Sequence, residues 1–505
     1  MRLFFSFIIC LLILSISSCR KDFSTTPSFG ELTFSKDTVF LDTVFTNIGS
    51  STYNLKVYNK SNTAITIPSI ELANGSNSNY RLNVDGIPGK SFQDIAILAN
   101  DSVYVFVETT IDVSTITNPL YVDKILFDTG IKEQQVDLVT LVQDAVFIFP
   151  GKDPVSMKID SLSLDGKPTS IKGRFLTNSE LTFTNEKPYV IYGYAAVPEN
   201  KTLTIDAGAN VYFHSNSGLI VDKKATLKAN GTLSNQITFE GDRLEFRHSD
   251  TPGQWGTIWM RAGSKDNEIT YATIKNGTIG ILVDSIGSPT TPTLTIKNSQ
   301  VYNSSNYGIL GRETNITGEN LVIGNTGQSA LACTIGGTYN FTHCTFANYW
   351  NHSLRQFPSV LVNNYFTYQD INNQEIIETR ALHAANFTNC IIDGNNNLEF
   401  ILDKADGNTF NYTIKNSLIQ FNDINNSFTT NNELNFDDTA HYQDIILNGT
   451  PHFKDTFLNQ FIIGQDSDAI KKADRVFSQL IPLDLLGINR ITNPDIGAYQ
   501  HIDFN

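Results

Sequence analysis

Charge is scarce in this sequence. Asp, Glu, Lys and Arg make up 17% of its 505 residues, and the balance is acidic, −15 at pH 7. A chain with a pI of about 5.0 offers no broad basic face, which excludes nucleic acid as a partner and argues against adsorption to anionic lipid. Cysteine is scarcer still: Cys10, Cys19, Cys333, Cys344 and Cys390, with no C-x-x-C pair for zinc or redox work. H-E-x-x-H, G-x-S-x-G, the P-loop and the dinucleotide fingerprint are all missing. No metal and no cofactor is expected. What remains is Thr, Ser, Asn and Phe with 33 Gly, the palette of strands and tight turns. The length suits several domains of roughly 100–200 residues each.

The longest apolar run, Leu3 to Ile16 behind Arg2, falls short of the roughly 20 residues that span a bilayer. It reads as the core of a signal peptide, residues 1–18. Ile16-Ser17-Ser18-Cys19 resembles the bacterial lipobox, which implies that Cys19 is acylated after cleavage. Two or more acyl chains anchor stably where one is marginal. Arg20 in place of Asp implies an outer-membrane address. Lys21-Asp22 resembles the export signal of surface lipoproteins in the Bacteroidota, so exposure at the cell surface is the corresponding expectation. Residues 19–30 are then a tether. With Cys10 removed and Cys19 acylated, Cys333, Cys344 and Cys390 are left as free thiols or one disulfide.

Residues 31–143 alternate. Leu55/Val57, an Asn-Lys-Ser-Asn turn, Ile65/Ile67 and then Val103/Val105/Val107 mark short antiparallel strands of a sandwich. The phrase resembles the bacterial Ig-like domains related to the ASPM/SPD-2/Hydin group, and a spacer or protein-contact role is what that implies. A linker is expected over 144–174.

From 175 to 430 the punctuation changes. TLTIDAGANVYF (202–213), GLIVDKKATLKANGT (218–232) and NEITYATIKN (267–276) are short strands broken by Gly and Asn. One phrase returns with its Asn at 276, 303, 325 and 348, spaced 22 to 27 residues apart. Repetition on that period without helical pattern marks a β-solenoid. Asn tolerates the left-handed turn conformation, so Asn276, Asn303, Asn325 and Asn348 are expected to form a structural ladder, amide on amide, about 4.8 Å apart. Phe341-Thr-His-Cys344 and Phe387-Thr-Asn-Cys390 share a spacing, 46 residues apart, read as two coils of 23, with Ser299 and Ser417 at equivalent places. That column implies buried packing. Residues 355–383 fit no coil and suggest an insertion. The whole region resembles the right-handed parallel β-helix proteins of the pectin-lyase-like superfamily.

The ending sharpens the resemblance. NGTPHFKD (448–455), QDSDAIKKAD (465–474) and LLGINRITNPDIGAYQH (485–501) are similar to the close of the choice-of-anchor Q proteins, with Gln500 where Glu is usual. Residues 431–505 are expected to cap the solenoid, with Phe453, Phe457, Ile496 and Tyr499 covering its last layer. The expected fold is all-β: an Ig-like sandwich, then a right-handed parallel β-helix with a C-terminal cap.

Catalysis by the family's enzymes would need G-H-G with several Asp, or clustered carboxylates on calcium with an Arg base. Neither G-H-G nor N-T-D occurs, and between 267 and 360 the acids are only Glu268, Asp284, Glu313 and Glu319. DKADGN (403–408) resembles a calcium loop but has Leu402 and Lys404 at ligand positions. No catalytic residue is assigned. Tyr349, Trp350, His352 and Arg355 form the one cluster suited to stacking on a sugar and binding its polar groups. Packing is the competing reading for Trp350. The expectation is a lipid-anchored, non-enzymatic surface protein that binds glycan or a protein partner. The alternative is a polysaccharide lyase or glycoside hydrolase.

Overall fold

The computed structural model describes residues 24–128, 132–286, 288 and 290–504. It divides into two compact units, Met1–Asp144 and Ala145–Asn505. The apolar stretch 3–16, the lipobox and Cys19 lie outside the described residues, among which no helix is long and apolar enough to cross a membrane.

The first unit is an Ig-like sandwich of a six-stranded and a five-stranded sheet. Alternation decides its two faces: Leu55, Val57, Val103, Val105 and Val107 from one sheet meet Ile67, Ile70, Ile125 and Leu138 from the other in one core. The Asn-Lys-Ser-Asn turn works through its first residue. Buried Asn59 donates to the carbonyls of Thr63, Ile97 and Leu98, so the amide ties two hairpin ends that would otherwise leave carbonyls orphaned.

The second unit is a parallel β-helix. Most of its strands fall in one 27-stranded sheet in which, over the early coils, a strand pairs with the third one after it, so each coil has three sides. Tyr189–Ile191, for example, pairs in parallel with Asn210–Phe213, which pairs with Ile237–Gly241. Inward positions stack into columns. Val211, Phe239, Ile274, Val301, Ile323, Phe346, Ile392 and Ile419 form one, and Leu219, Ile258, Ile281, Ile309, Leu331, Val360 and Phe400 another, all buried. Each buried aliphatic or aromatic side chain contributes about 1.5–3 kcal/mol. No coil could bury its inner side alone.

Two expectations change here. Residues 144–174 are not a linker: Val146–Ile148 and Lys167–Phe175 already pair with solenoid strands. The 46 residues between the two Phe/Cys phrases are one coil, because Phe341 pairs directly with Phe387 and Phe346 with Ile392. That coil is swollen by an antiparallel hairpin, Tyr365–Gln369 with Glu375–Thr379, outside the parallel sheet. Cys344 and Cys390 are consequently neighbours, and they and Cys333 are buried free thiols. Burial pushes the Cys344 thiol well above its ordinary range, which suits packing rather than reactivity.

The cap, too, is made by other residues. Leu434, with Phe421, Phe428 and Phe436 against it, closes the core at the solenoid's end. The chain from Phe453 onward returns along the outside. Phe461, Leu485, Ala498 and Tyr499 cover Val322 and Ala347, while Ile463, Ala469 and Ile496 cover Ile391 and Leu418. Phe453 packs into the same sheath, whereas Phe457 is 75% exposed and covers nothing. The closing sequence holds this sheath in place. Arg490, fully buried, donates to the carbonyls of Gly497 and Ala498. Asp495 accepts from the backbone N–H groups of Lys471 and His501, and Ala498 N–H donates to Thr345 Oγ1. Gln500 both accepts from Asp495 N–H and donates to Asn493 O, a pair of roles a carboxylate could not fill.

Candidate functional site

The aromatic cluster singled out in the sequence does not present a sugar-stacking face. Trp350 is only 6% exposed; its indole N–H donates to Ser353 Oγ at 2.9 Å, and its ring lies against His352. The Tyr349 hydroxyl is committed to Asp393 at 2.6 Å. Arg355 is buried in an ion pair with Glu399, which also accepts from the N–H groups of Ser359 and Asn396. His352 alone of the four is exposed. These groups brace a corner of the coil. A Trp with a His and an Arg beside it looks the same in sequence whether these side chains point out or fold inward.

Asn276, Asn303, Asn325 and Asn348 do occupy equivalent places in successive coils, the first three in the left-handed region. Their amides are not bonded to one another. Asn276 donates to Ser249 O, Asn303 to Asp250, Asn325 to Thr456 O and Asn459, and Asn348 to Thr326 and Gln328. The bonded ladder is at another corner, where Tyr271, Asn298, Asn320, His343, Asn389 and Asn416 all have positive φ. There Asn320 donates to Asn298 Oδ1 at 2.8 Å and Asn389 to His343 Nε2 at 3.0 Å. The signal was present in Lys-Asn-Ser, Thr-His-Cys and Thr-Asn-Cys, just before the Ser/Cys column.

The outer sides of the solenoid differ in chemistry. On one, Asp222, Arg261, Asp284 and Arg312 follow each other in register. Each carboxylate is already held: Arg261 reaches Asp222 and Asp165, and Asp284 accepts from Arg312 and from the Trp259 indole. A second side is covered by the C-terminal sheath over its later coils. The third carries Thr295, Thr317, Asn340, Asn386 and Thr413 in one outward row. A parallel row of Lys297, Glu319, Thr342, Thr388 and Lys415 runs beside it, its first two members ion-paired.

This third side is the candidate site. Asn340, Thr342, Asn386, Thr388, Thr413 and Lys415 line a shallow cavity of about 330 Å³, together with Phe477. Phe341, Phe387 and Ile414 between them point into the core, and this alternation fixes the polar groups outward. Asn386 donates to Asn340 Oδ1 at 2.9 Å, which sets the amide orientation. Phe477 comes from the short helix Arg475–Leu480, whose N-terminus is capped by Asp474. The result is a set of neutral donors and acceptors repeating about every 4.8 Å along the solenoid axis. Among the residues lining the cavity, Lys415 carries the one charge. The repeated phrases Tyr-Asn-Phe-Thr (339–342) and Ala-Asn-Phe-Thr (385–388) carried this site in plain alternation; sequence reading used their Phe and Cys columns and passed over the polar positions between. Among the described residues, no group of three or more His, Cys, Asp or Glu could hold a metal ion.

No family model matches the chain, and no curated protein does. Among solved structures, a family 123 glycoside hydrolase from Clostridium perfringens, studied for glycolipid glycan hydrolysis, aligns at 12% identity and a TM-score of 0.16, over 22% of this chain and 25% of the other. The periplasmic chaperone SfaE aligns at 15% identity and a TM-score of 0.15, over 22% of this chain and 58% of its own. Similarity this slight carries no inference about activity.

Proposed function

We propose that this protein is a non-catalytic, lipid-anchored binding protein of the outer membrane, held by acylated Cys19 and facing the cell surface. It retains an extended, uncharged polysaccharide along the Thr/Asn side of its solenoid. The observation that carries the reading is the pair of outward rows centred on Asn340, Asn386, Thr413 and Thr342, Thr388. A ladder of neutral hydroxyl and amide groups matches a chain of sugar hydroxyls, while acid–base cleavage requires paired titratable groups in reach of the bond. The resemblance of the closing sequence to the choice-of-anchor Q proteins supports an envelope location. The lyase or hydrolase reading draws on the Asp222, Arg261, Asp284 and Arg312 row, but there the carboxylates are occupied by cations and the Trp259 indole.

The test is affinity electrophoresis against a panel of neutral and acidic polysaccharides. A neutral polymer should retard the protein, and Asn340→Ala with Asn386→Ala should abolish the retardation. Accumulation of reducing or unsaturated ends above a heat-killed control would overturn the non-catalytic reading. Labelling with an alkyne fatty acid should mark the wild type and spare Cys19→Ser.

A further inference from the structure

The chain from Lys472 to Gly487 runs back along the corner that carries the Asn298–Asn320 ladder. Asn416 donates to Lys472 O, and the Asn389 amide bonds both the N–H and the carbonyl of Asp474. His343 meets Ser478 Oγ at 2.9 Å, and Asn320 donates to Leu483 O. A Cβ on Gly487 would strike Leu233, so the segment reaches a coil three steps before that of Asn320. From Asn389 to Leu233 it crosses five coil steps, about 24 Å.

This segment turns its charges inward and its aliphatic side chains outward. Between 476 and 491 the charged residues are Asp484 and Arg490, both wholly buried. Asp484 accepts from the N–H groups of Leu486, Ile488 and Gln500, and Arg490 donates to the carbonyls of Gly497 and Ala498. Those bonds fix which way the chain faces. They leave Val476, Leu480, Leu483, Leu486, Ile488 and Ile491 between 38% and 75% exposed. Val476 and Leu480 stand four apart on the helix Arg475–Leu480 and share its outer side. Leu483 bridges to Asn489, which places Leu486 and Ile488 in the turn between and Ile491 just beyond. The six form one stripe along the corner.

Area and charge say what covers it. Six aliphatic side chains so exposed present on the order of 400 Å² of apolar surface, in the range where a patch marks a contact site. A stable dimer of standard size takes about 800 Å² from each partner, a little over half of it apolar, or about 450 Å². A different protein is usually selected by complementary charge, and this stripe offers none. A two-fold contact asks only that the patch fit itself. An uncharged stripe laid antiparallel on its own copy brings no like charges together, in a chain whose net charge is −15.

We infer that a second copy of this chain covers the stripe, in a two-fold dimer whose 476–491 segments lie antiparallel. The stripe contributes no residue to the lining of the Thr/Asn cavity, so self-association and polymer retention succeed or fail separately.

Sedimentation equilibrium of the full chain in density-matched detergent tests it, at about 100 µM, since interfaces of this size hold with Kd values of micromolar or tighter. The protein mass should be twice that of one chain. Leu480→Glu puts a charge into the joint at a position 75% exposed in the single chain. It should return the mass to that of one chain and leave the circular dichroism spectrum unchanged. Ile371→Glu, at the exposed tip of the 365–379 hairpin, should leave the dimer intact. Leu483→p-benzoylphenylalanine, irradiated in cells, identifies whatever lies on the stripe, and its product should have twice the single-chain mass. A photoproduct of any other mass or none, a wild type of single-chain mass, or a Leu480→Glu dimer would each overturn the inference.

Discussion

The same coils present opposite chemistry on two of their outer sides. One row reads Thr238, Thr273, Gln300, Val322, Thr345, Ile391, Leu418. It turns apolar at Val322, where the C-terminal sheath begins to cover it. The other row stays polar throughout: Thr295, Thr317, Asn340, Asn386, Thr413. Both rows flank equally buried inward columns, Ile274, Val301, Ile323 and Phe346 beside the first and Ile296, Phe341, Phe387 and Ile414 beside the second. Core packing therefore says nothing about which side is offered to a ligand, and the outward positions say it all. Gly324 marks the difference most sharply, since a Cβ there would collide with the Phe461 ring.

The largest effect should come from unmaking the covered side. Phe461 is almost wholly buried against Val322, Ala347 and Tyr499. Phe461→Ala is expected to cost about 3–5 kcal/mol, read as a lower denaturation midpoint and as early protease cleavage between 453 and 504. An unchanged midpoint would mean that the sheath is not docked.

Next is a carboxyl trapped beneath that sheath. Burial raises the Asp393 pKa from 3.8 to about 6, against the opposing pull of the Tyr349 hydroxyl and the Gly394 N–H, with the Glu399 charge adding to the rise. A proton is held more tightly in the folded state, so stability is greatest below the unfolded value near 4. It is lost as pH rises through about 6, by about 2–3 kcal/mol in all. Asp393→Asn should remove that slope and raise stability at pH 7. Urea titrations of both proteins at pH 4.5 and pH 7.5 check the sign; parallel behaviour would place Asp393 in solvent.

Asn325 joins the solenoid to the sheath, donating to Thr456 O and Asn459 Oδ1 while accepting from Tyr349 N–H. Asn325→Leu should cost about 1–3 kcal/mol, with cleavage again favoured in the sheath. Asn276, which donates to Ser249 O instead, should leave the sheath protected when replaced by Leu. That contrast separates a docking contact from a generic turn residue.

Much of the fold was legible because its signals are local. Alternation in Val103/Val105/Val107 and the recurrence of the Asn turns needed no knowledge of distant residues. Coil length was misread because a count of residues cannot tell two short coils from one carrying the 365–379 hairpin. The sheath was mistaken for an end cap because its contacts, such as Phe461 on Gly324, join residues far apart in the chain. Trp350 and Arg355 were candidates by composition alone, and only Glu399, 44 residues on, decides that the Arg is buried. The polar rows were visible in Asn-Phe-Thr twice over, but an outward position acquires meaning only once the inward columns are fixed.

The smallest effect on stability should accompany the largest on binding. Asn386 and Thr413 are half-buried on the uncovered side, and the one side-chain bond that Asn386 makes runs to Asn340. Water can replace that bond at an accessible site, so Asn386→Ala and Thr413→Val should each shift stability by no more than about 0.5 kcal/mol. Lost sugar contacts have no such replacement, since a polymer bound across successive coils loses a donor and an acceptor at every altered rung. Retention of a neutral polysaccharide should therefore fall with each substitution, while Phe461→Ala, measured below its unfolding transition, should retain the polymer as the wild type does. If instead the sheath variant loses binding and the Asn386 variant keeps it, the ligand lies on the covered side, and the assignment of the two sides must be exchanged.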